Sequence, residues 1–299
     1  MSIRRDKPTR LLQATVSASR GLSPMNKPLV LLRTLAAIVL LVAGLAMSAL
    51  AITYGQLDGN RHPNVGALLY DWDPTHPGLD EACSGTLISP TVFITAAHCD
   101  PDRTVSNDEV WVSFDADVDP VTSATTLYHG VFVPDPEFDW NHPLGSDTHD
   151  LAVVLLDTPV AGITPAQLPQ PGLLDQLKAT GVLSGLKFTA VGYGISTVTF
   201  GGGRPRATPD DGARRYAVSD FLALRPAWLV LSQNPHTGNG GSCAGDSGGP
   251  HFLGAGSTET NIIVSTTVTG GGICNSTSVT YRLDTESARS FLGNYVTLP

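Results

Sequence analysis

A serine set among glycines is the first candidate for covalent chemistry. Ser247 lies in the segment Gly-Ser-Cys-Ala-Gly-Asp-Ser-Gly-Gly-Pro, residues 241–250. Glycine accepts backbone angles that other residues avoid, so this run can form a tight turn that exposes a serine hydroxyl. Backbone N–H groups of the same turn can converge on one point, as stabilisation of an oxyanion requires. Taken alone, the segment also fits an ordinary glycine-rich turn.

Two further segments supply a base and an acid. His98 follows the run Ile-Thr-Ala-Ala and precedes a cysteine, and Asp150 directly precedes Leu-Ala-Val-Val-Leu-Leu. A carboxylate at the start of so apolar a run is expected to be buried, and a buried charge needs a partner. A serine nucleophile, an imidazole base and a buried carboxylate form a catalytic triad when they converge. The sequence therefore predicts His98, Asp150 and Ser247 as catalytic residues.

Two other kinds of serine enzyme are excluded, one by the order of residues along the chain and the other by missing motifs. Gly-Asp-Ser-Gly-Gly also fits the nucleophile elbow of α/β-hydrolases, in which the acid and then the histidine follow the serine. His251 is the one histidine after Ser247, and it lies only four residues on. Ser184-Gly-Leu-Lys187 fits the S-x-x-K motif of β-lactamases, but neither S-D-N nor K-T-G follows it.

Many short β-branched runs separated by turn-forming residues follow residue 52, which predicts an all-β sandwich or barrel. Residues 158–172 contain four prolines and are the predicted linker between two halves. A helix is predicted at the end, capped by Asp284 or Thr285. Its apolar residues are Ala288, Phe291, Leu292 and Val296. The predicted strands are Val92–Thr95, Val110–Phe114, Leu151–Leu156, Phe188–Val191, Trp228–Leu231, Ile262–Val268 and Val279–Leu283.

The three chemical segments together resemble those of the trypsin/chymotrypsin-type serine proteases, and the resemblance covers nearly all of residues 52–299. Ala-Ala-His-Cys and Gly-Asp-Ser-Gly-Gly-Pro match in full, Asp-Leu-Ala-Val matches the aspartate segment, and the order is the same. The resemblance implies an all-β fold of two six-stranded antiparallel β-barrels packed face to face, with a C-terminal helix. It implies a first barrel in residues 52–165 and a second barrel, with the helix, in residues 166–299.

The resemblance also implies roles for residues around the triad. The N–H groups of Gly245 and Ser247 would form the oxyanion hole, and Ser265 would hydrogen bond to Asp150. In this family, the residue six before the nucleophile lies at the floor of the pocket for the substrate residue preceding the cleaved bond (P1). The implied pocket residues are Gly241, Ser242, Thr266 and Thr267. None is charged, so uncharged P1 residues are expected. Small or medium ones are favoured if Thr267 narrows the pocket wall, as its bulk suggests.

The N-terminal residues 1–51 have the features of a secretory signal peptide, with Met25 as an alternative start. A basic region precedes 18 uncharged residues that end in Ala49-Leu50-Ala51, the pattern of such signals. Cleavage there would expose Ile52, whose ammonium the resemblance pairs with Asp246. The protein is therefore expected to be secreted and extracellular. If the apolar segment stays uncleaved, it would instead anchor the protein in a membrane.

Charge and cysteine content limit the partners. After residue 51 the chain has 11 basic and 26 acidic residues and no basic stripe, which argues against nucleic acid. In an exported protein the four cysteines are expected to form disulfides, and three pairings are open. The resemblance implies the pairs Cys83–Cys99 and Cys243–Cys274. With no C-x-x-C motif, a metal site is not expected.

Several polar residues outside these segments are expected at the surface. One group is the strand-end acids Asp115, Asp117 and Asp119, for which calcium binding is the alternative. The others are the scattered histidines, such as His62, and the arginines of a solvated loop, Arg204, Arg206, Arg214 and Arg215.

The predicted activity is that of a monomeric serine endopeptidase acting on proteins or peptides without a cofactor. The alternative is a non-catalytic binding or adhesion protein on a trypsin fold.

Overall fold

A computed structural model describes residues 52–71, 78–101, 109–142, 145–196, 198–201, 204–207 and 212–299. The predicted signal peptide, residues 1–51, lies outside the described residues. Among the residues described, no helix combines the length and apolar character needed to cross a bilayer.

The first barrel follows a short initial strand, β1 (Gln56–Leu57). Its six antiparallel strands close in the order β2-β3-β4-β7-β6-β5. All six residues of β2 are buried, as expected of a strand covered on both faces. The strands are β2 (Val65–Tyr70), β3 (Asp80–Ser89), β4 (Val92–Thr95), β5 (Glu109–Ser113), β6 (Tyr128–Pro134) and β7 (Ala152–Leu156).

The second barrel is built from the elements after residue 172. In chain order they are α1 (Leu173–Ala179), β8 (Lys187–Gly192), β9 (Val198–Gly201), β10 (Arg204–Ala207), β11 (Arg215–Leu224), β12 (Trp228–Ser232), β13 (Pro250–Leu253), β14 (Ile263–Gly270), β15 (Thr277–Arg282) and α2 (Glu286–Leu292). Six of these strands run in the order β11-β12-β15-β14-β13-β8, and β8 pairs back with β11 to close the barrel. The initial strand β1 pairs with β11, and β9 pairs with β10 as a separate hairpin.

The predicted fold class is confirmed: two closed six-stranded antiparallel barrels and a C-terminal helix. Each predicted strand is present, with ends that differ by at most two residues. Thr285 caps α2, because its hydroxyl accepts the N–H of Ala288 at 3.3 Å. The helix ends at Leu292, so the expectation that Val296 belongs to it is wrong; Val296 packs against the core beyond the helix.

Arg214 joins the two barrels, and the expectation that it is solvated is wrong. Its side chain is fully buried and pairs with Asp58 at 3.0 Å. Nη1 lies 2.9 Å from three acceptors, the carbonyl oxygens of Val65 and Phe114 and the Tyr193 hydroxyl, and Nη2 donates to the Gly59 carbonyl at 3.0 Å. A buried charge is tolerated when its donors are satisfied in this way. Arg215 is also buried, with 2% of its surface exposed.

His62 lies in the same ionic cluster and is buried rather than at the surface. Its Nδ1 contacts Asp58, its Nε2 lies 3.0 Å from Glu259 Oε1, and its ring stacks on Phe252. Burial alone would raise the pKa of Asp58, but hydrogen bonds from His62 and the charge of Arg214 bring that pKa below its usual value. The cluster therefore fixes the segment after β1 to the second barrel.

A second buried histidine lacks such partners. His251 in β13 is fully buried, and within the described part of the chain neither ring nitrogen has a hydrogen-bond partner. Burial lowers its pKa to about 3, because the apolar surroundings disfavour the charged form.

His251→Leu is expected to stabilise the protein more at pH 4 than at pH 7. Below a pH of about 6.5 the unfolded chain binds a proton at this residue, whereas the folded chain does not. The free energy of unfolding of the unsubstituted protein therefore decreases as the pH is lowered. Between pH 7 and pH 4 the free energy of unfolding of the variant, relative to that of the unsubstituted protein, should increase by roughly 3 kcal/mol. Urea unfolding at both pH values measures it, with the exposed His236→Leu as control. An equal difference in free energy of unfolding at both pH values would contradict the lowered pKa of His251.

Candidate active site

His98 and Asp150 meet at the ends of two paired strands. His98 lies in a short 3₁₀ turn (Ala97–Cys99) after β4, and Asp150 lies just before β7, which pairs with β4. His98 Nδ1 is 2.8 Å from Asp150 Oδ2, and the His98 backbone N–H donates to Oδ1 at 3.0 Å. Asp150 is 1% exposed, whereas 26% of the His98 side chain is exposed. With Nδ1 donating to the carboxylate, Nε2 is left as a proton acceptor.

The turn before Asp150 is held by the second barrel and its helix. His149 adopts a left-handed backbone conformation with a φ of 54°, which is strained for a residue other than glycine. Its Nδ1 lies 3.1 Å from Ser287 Oγ, and the Tyr281 hydroxyl donates to Asp147 at 2.7 Å. Asp150 is thus positioned by elements from both halves of the protein.

Ser247 lies on a turn that packs against the strand leading to His98. Its carbonyl oxygen accepts the N–H of Ser84 at 2.9 Å. Gly248 has a φ of 76°, and a Cβ there would lie 2.1 Å from Thr95 Oγ1. Only glycine therefore allows this close approach. Ser247 is partly exposed, and the described residues show no hydrogen bond between its hydroxyl and His98.

The backbone around Ser247 presents two N–H groups. In the described part of the chain, neither Gly245 N–H nor Ser247 N–H donates to an acceptor, so both are available to a ligand. The Asp246 side chain points inward and is 1% exposed. It accepts the N–H of Gly194 at 3.0 Å and that of Cys243 at 2.8 Å. These bonds fix the loop that carries the two donors.

Ser265 has a different hydrogen-bond partner from the one that the resemblance implies. Its hydroxyl accepts a hydrogen bond from Thr280 Oγ1 at 2.8 Å, and no bond to Asp150 occurs among the described residues. Thr280 lies on the neighbouring strand β15, which places its hydroxyl within reach of β14. Asp150 therefore has the side chain and the backbone N–H of His98 as its partners in this region.

Ile52 is buried and packs with Ala190 and Ala217 of the second barrel. The next residue, Thr53, donates its hydroxyl to the carbonyl oxygens of Gly241 at 3.1 Å and Cys274 at 2.7 Å. Both Ile52 and Asp246 pack against strand β8. Ile52 contacts Ala190 of this strand, and a Cβ on Gly192 of the same strand would meet the Asp246 carboxylate. The segment from Ile52 is thus anchored beside the loop of Ser247.

Both predicted disulfides are present, Cys83–Cys99 and Cys243–Cys274. The ligand atoms of Cys83, His98 and Cys99 lie within 4.8 Å of one another, but the disulfide removes the thiolates that a metal would need.

Tyr70 donates to the Cys99 carbonyl at 3.3 Å. Burial and then the nearby negative charges of Asp100 and Glu81 raise its pKa to about 12, so Tyr70 is a neutral donor.

A cavity of about 260 Å³ opens beside Ser247. Two of the residues expected in the P1 pocket, Ser242 and Thr267, line this cavity, whereas Gly241 and Thr266 are not among its described lining residues. The other lining residues are Cys243, Ala244, Val268, Thr269, Gly270, Gly271, Gly272 and Cys274. The described lining carries no acidic or basic side chain.

Gln233 lies next to Ser242 of the cavity lining, and no sequence motif indicates it. It is fully buried and donates to the Ser242 carbonyl. A Cβ on Gly241 would lie 2.7 Å from Gln233 Cγ, so the glutamine takes up the space that a side chain at residue 241 would need. The Ser242 hydroxyl lies 2.7 Å from that of Ser278. The side chains bonded to Ser242 are therefore polar and uncharged.

Two closed antiparallel barrels, with a His–Asp pair on the first and a glycine-flanked serine on the second, define a protease fold of the trypsin type. The sequence model of the family described as Trypsin matches residues 75–288, more than half of the chain. The chain therefore belongs to the trypsin family. A search of curated proteins finds no match.

Proposed function

We propose that this protein is a serine endopeptidase that hydrolyses peptide bonds with His98, Asp150 and Ser247. The observation that carries the proposal is the 2.8 Å contact between His98 Nδ1 and Asp150 Oδ2. It leaves Nε2 as a base, and the turn that carries Ser247 and two N–H donors packs against Thr95, three residues before His98.

In this mechanism His98 Nε2 takes the proton from the Ser247 hydroxyl as the oxygen attacks the peptide carbonyl. The oxyanion that forms accepts hydrogen bonds from the N–H groups of Gly245 and Ser247. The imidazolium, stabilised by Asp150, then protonates the leaving amine. Water then gives a proton to the same nitrogen and attacks the acyl carbonyl. The bond to Ser247 Oγ breaks, the imidazolium returns the proton to that oxygen, and the acid product leaves. No cofactor takes part.

Labelling with a fluorophosphonate tests the activity. The secreted protein should be modified at Ser247 and lose its activity, because the probe needs both an activated serine and an oxyanion hole. Ser247→Ala should abolish labelling. The control Ser257→Ala, which changes an exposed serine outside the cavity lining, should keep it. A folded protein that is neither labelled nor able to cleave peptides would instead be a binding or adhesion protein on this fold.

We expect cleavage after uncharged P1 residues of small or medium size. A Lys or Arg side chain in the cavity would lose its hydration without gaining a counter-charge, which costs several kcal/mol. A peptide library should therefore show Ala, Leu or Phe ahead of Lys and Arg. Gly241→Asp alone should gain little Arg cleavage, because Gln233 occupies the space. The double variant with Gln233→Gly should gain more. Preferred cleavage after Arg by the unmodified protein would contradict the expectation.

Residues 1–51 are proposed to be a signal peptide that directs secretion, and residues 52–165 and 166–299 to form the two barrels of a monomer that acts on protein or peptide substrates. Two disulfides support an extracellular location, because such bonds persist in oxidising compartments.

A further inference from the structure

Ser84 of the first barrel contacts both residues that carry the free N–H donors. It lies in β3, next to the disulfide of Cys83, and is fully buried. Its backbone N–H donates to the Ser247 carbonyl at 2.9 Å, and its hydroxyl donates to the Gly245 carbonyl at 3.1 Å. One side chain and its own backbone thus hold the two residues on either side of Asp246.

The direction of the Ser84 hydroxyl is fixed by its other contacts. The backbone N–H of Tyr193 donates to Ser84 Oγ at 3.0 Å, so the hydroxyl proton is left for the Gly245 carbonyl. The carbonyl of Ser84 accepts the Thr95 hydroxyl at 2.8 Å. Every polar group of this buried serine therefore has a partner, and Thr95 belongs to the strand that leads to His98.

Gly245 needs such support more than other residues do. Its φ is 90°, and a glycine in this region has a wide choice of backbone conformations. A hydrogen bond to its carbonyl limits rotation about its backbone bonds and so restricts the direction of its N–H. Because oxyanion stabilisation depends on donors that are oriented before the reaction, lost orientation lowers the rate rather than substrate binding.

We propose that Ser84 is a positioning residue for the oxyanion hole, an inference that rests on the proposed protease activity. Ser84→Ala keeps the backbone N–H and the Cβ but removes the bond to Gly245 and the acceptor of the Tyr193 N–H. The variant is expected to lower kcat by on the order of 10-fold to 100-fold, with KM almost unchanged. A peptide aldehyde, whose adduct with Ser247 places an oxyanion in the same hole, should lose affinity by a similar factor.

The control is Ser113→Ala, another fully buried serine of the first barrel, whose hydroxyl accepts the N–H of Asp115 at 3.3 Å. It removes a buried hydroxyl away from the site and should keep kcat and aldehyde affinity. Ser84→Gly loses the same two side-chain bonds, to Gly245 and from Tyr193, together with the Cβ, but it keeps the N–H. It provides the same readout if Ser84→Ala does not fold.

The outcomes separate the two proposals. An unmodified protein that neither cleaves peptides nor reacts with a fluorophosphonate overturns the protease activity itself. An active unmodified protein whose Ser84 variants keep both kcat and aldehyde affinity overturns the role of Ser84. Variants that lose thermal stability and kcat but keep full aldehyde affinity also overturn it, since the hydroxyl would then act on stability alone. A parallel loss of kcat and aldehyde affinity, with KM retained, supports it.

Discussion

Asp150→Asn is expected to lower kcat by about 10⁴-fold while KM for a peptide substrate changes little. Both carboxylate oxygens of Asp150 accept hydrogen bonds from His98, one from Nδ1 and one from the backbone N–H. An asparagine can offer only one acceptor oxygen, so its NH₂ group must face one of these donors or force the ring into the other tautomer. Steady-state kinetics on a peptide amide, with circular dichroism to verify folding, measures the effect.

The matched control is Asp157→Asn. Asp157 Oδ2 also contacts a histidine Nδ1, that of His129, at 2.6 Å, but this pair is exposed on the surface of the first barrel. The same change of chemistry should leave kcat unaltered there. A loss of similar size in both variants would mean that the Asp150 effect is not specific to the proposed triad.

A chain that begins at Ile52 is expected to be at least 100-fold more active than one that begins at Ala51. A free ammonium on Ile52 can pair with the buried carboxylate of Asp246, and an added residue moves that charge away. Removing one partner of a buried ion pair costs about 3 to 5 kcal/mol, which corresponds to a factor of at least about 100 when it acts on the active conformation. Intact-mass measurement of each preparation verifies its start.

Asp246→Asn is the companion variant in the chain that begins at Ile52. It should lose activity to the level of the longer chain, because the charge that attracts the ammonium is gone. In the chain that begins at Ala51 the same substitution should change activity much less. Equal activity of the two starting points, or an Asp246→Asn variant that keeps full activity, would contradict the pairing.

The sequence predicted the elements that have a local signal. The apolar runs before His98 and after Asp150 indicate β4 and β7, and Thr285 indicates the start of α2. The glycines around Ser247 indicate its turn, because their spacing reflects a steric need within a few residues. The resemblance then supplied both disulfide pairs and the closure of the barrels.

Contacts between distant parts of the chain were not predictable in this way. Ser84, Gln233 and Arg214 are set in ordinary-looking segments, and their partners lie more than 100 residues away or in a different turn. Arginine is mostly exposed and histidine is intermediate in burial, so a single sequence gives no reason to bury Arg214 or His62. Burial was possible because Asp58, Glu259 and several carbonyl groups from both barrels converge on them. The hydroxyl of Ser265 likewise bonds to Thr280, a neighbour that only the register of β14 and β15 provides.

The Arg214 cluster limits how this protein can be recombined with its relatives. One guanidinium bonds to carbonyl groups of Val65 and Phe114 in the first half and to Tyr193 in the second. A chimera that takes one barrel from another family member would leave this buried cation opposite foreign groups, or leave Asp58 without it. Crossover points for shuffled libraries should therefore keep Asp58, Tyr193 and Arg214 together from one parent, even though they are far apart in the chain.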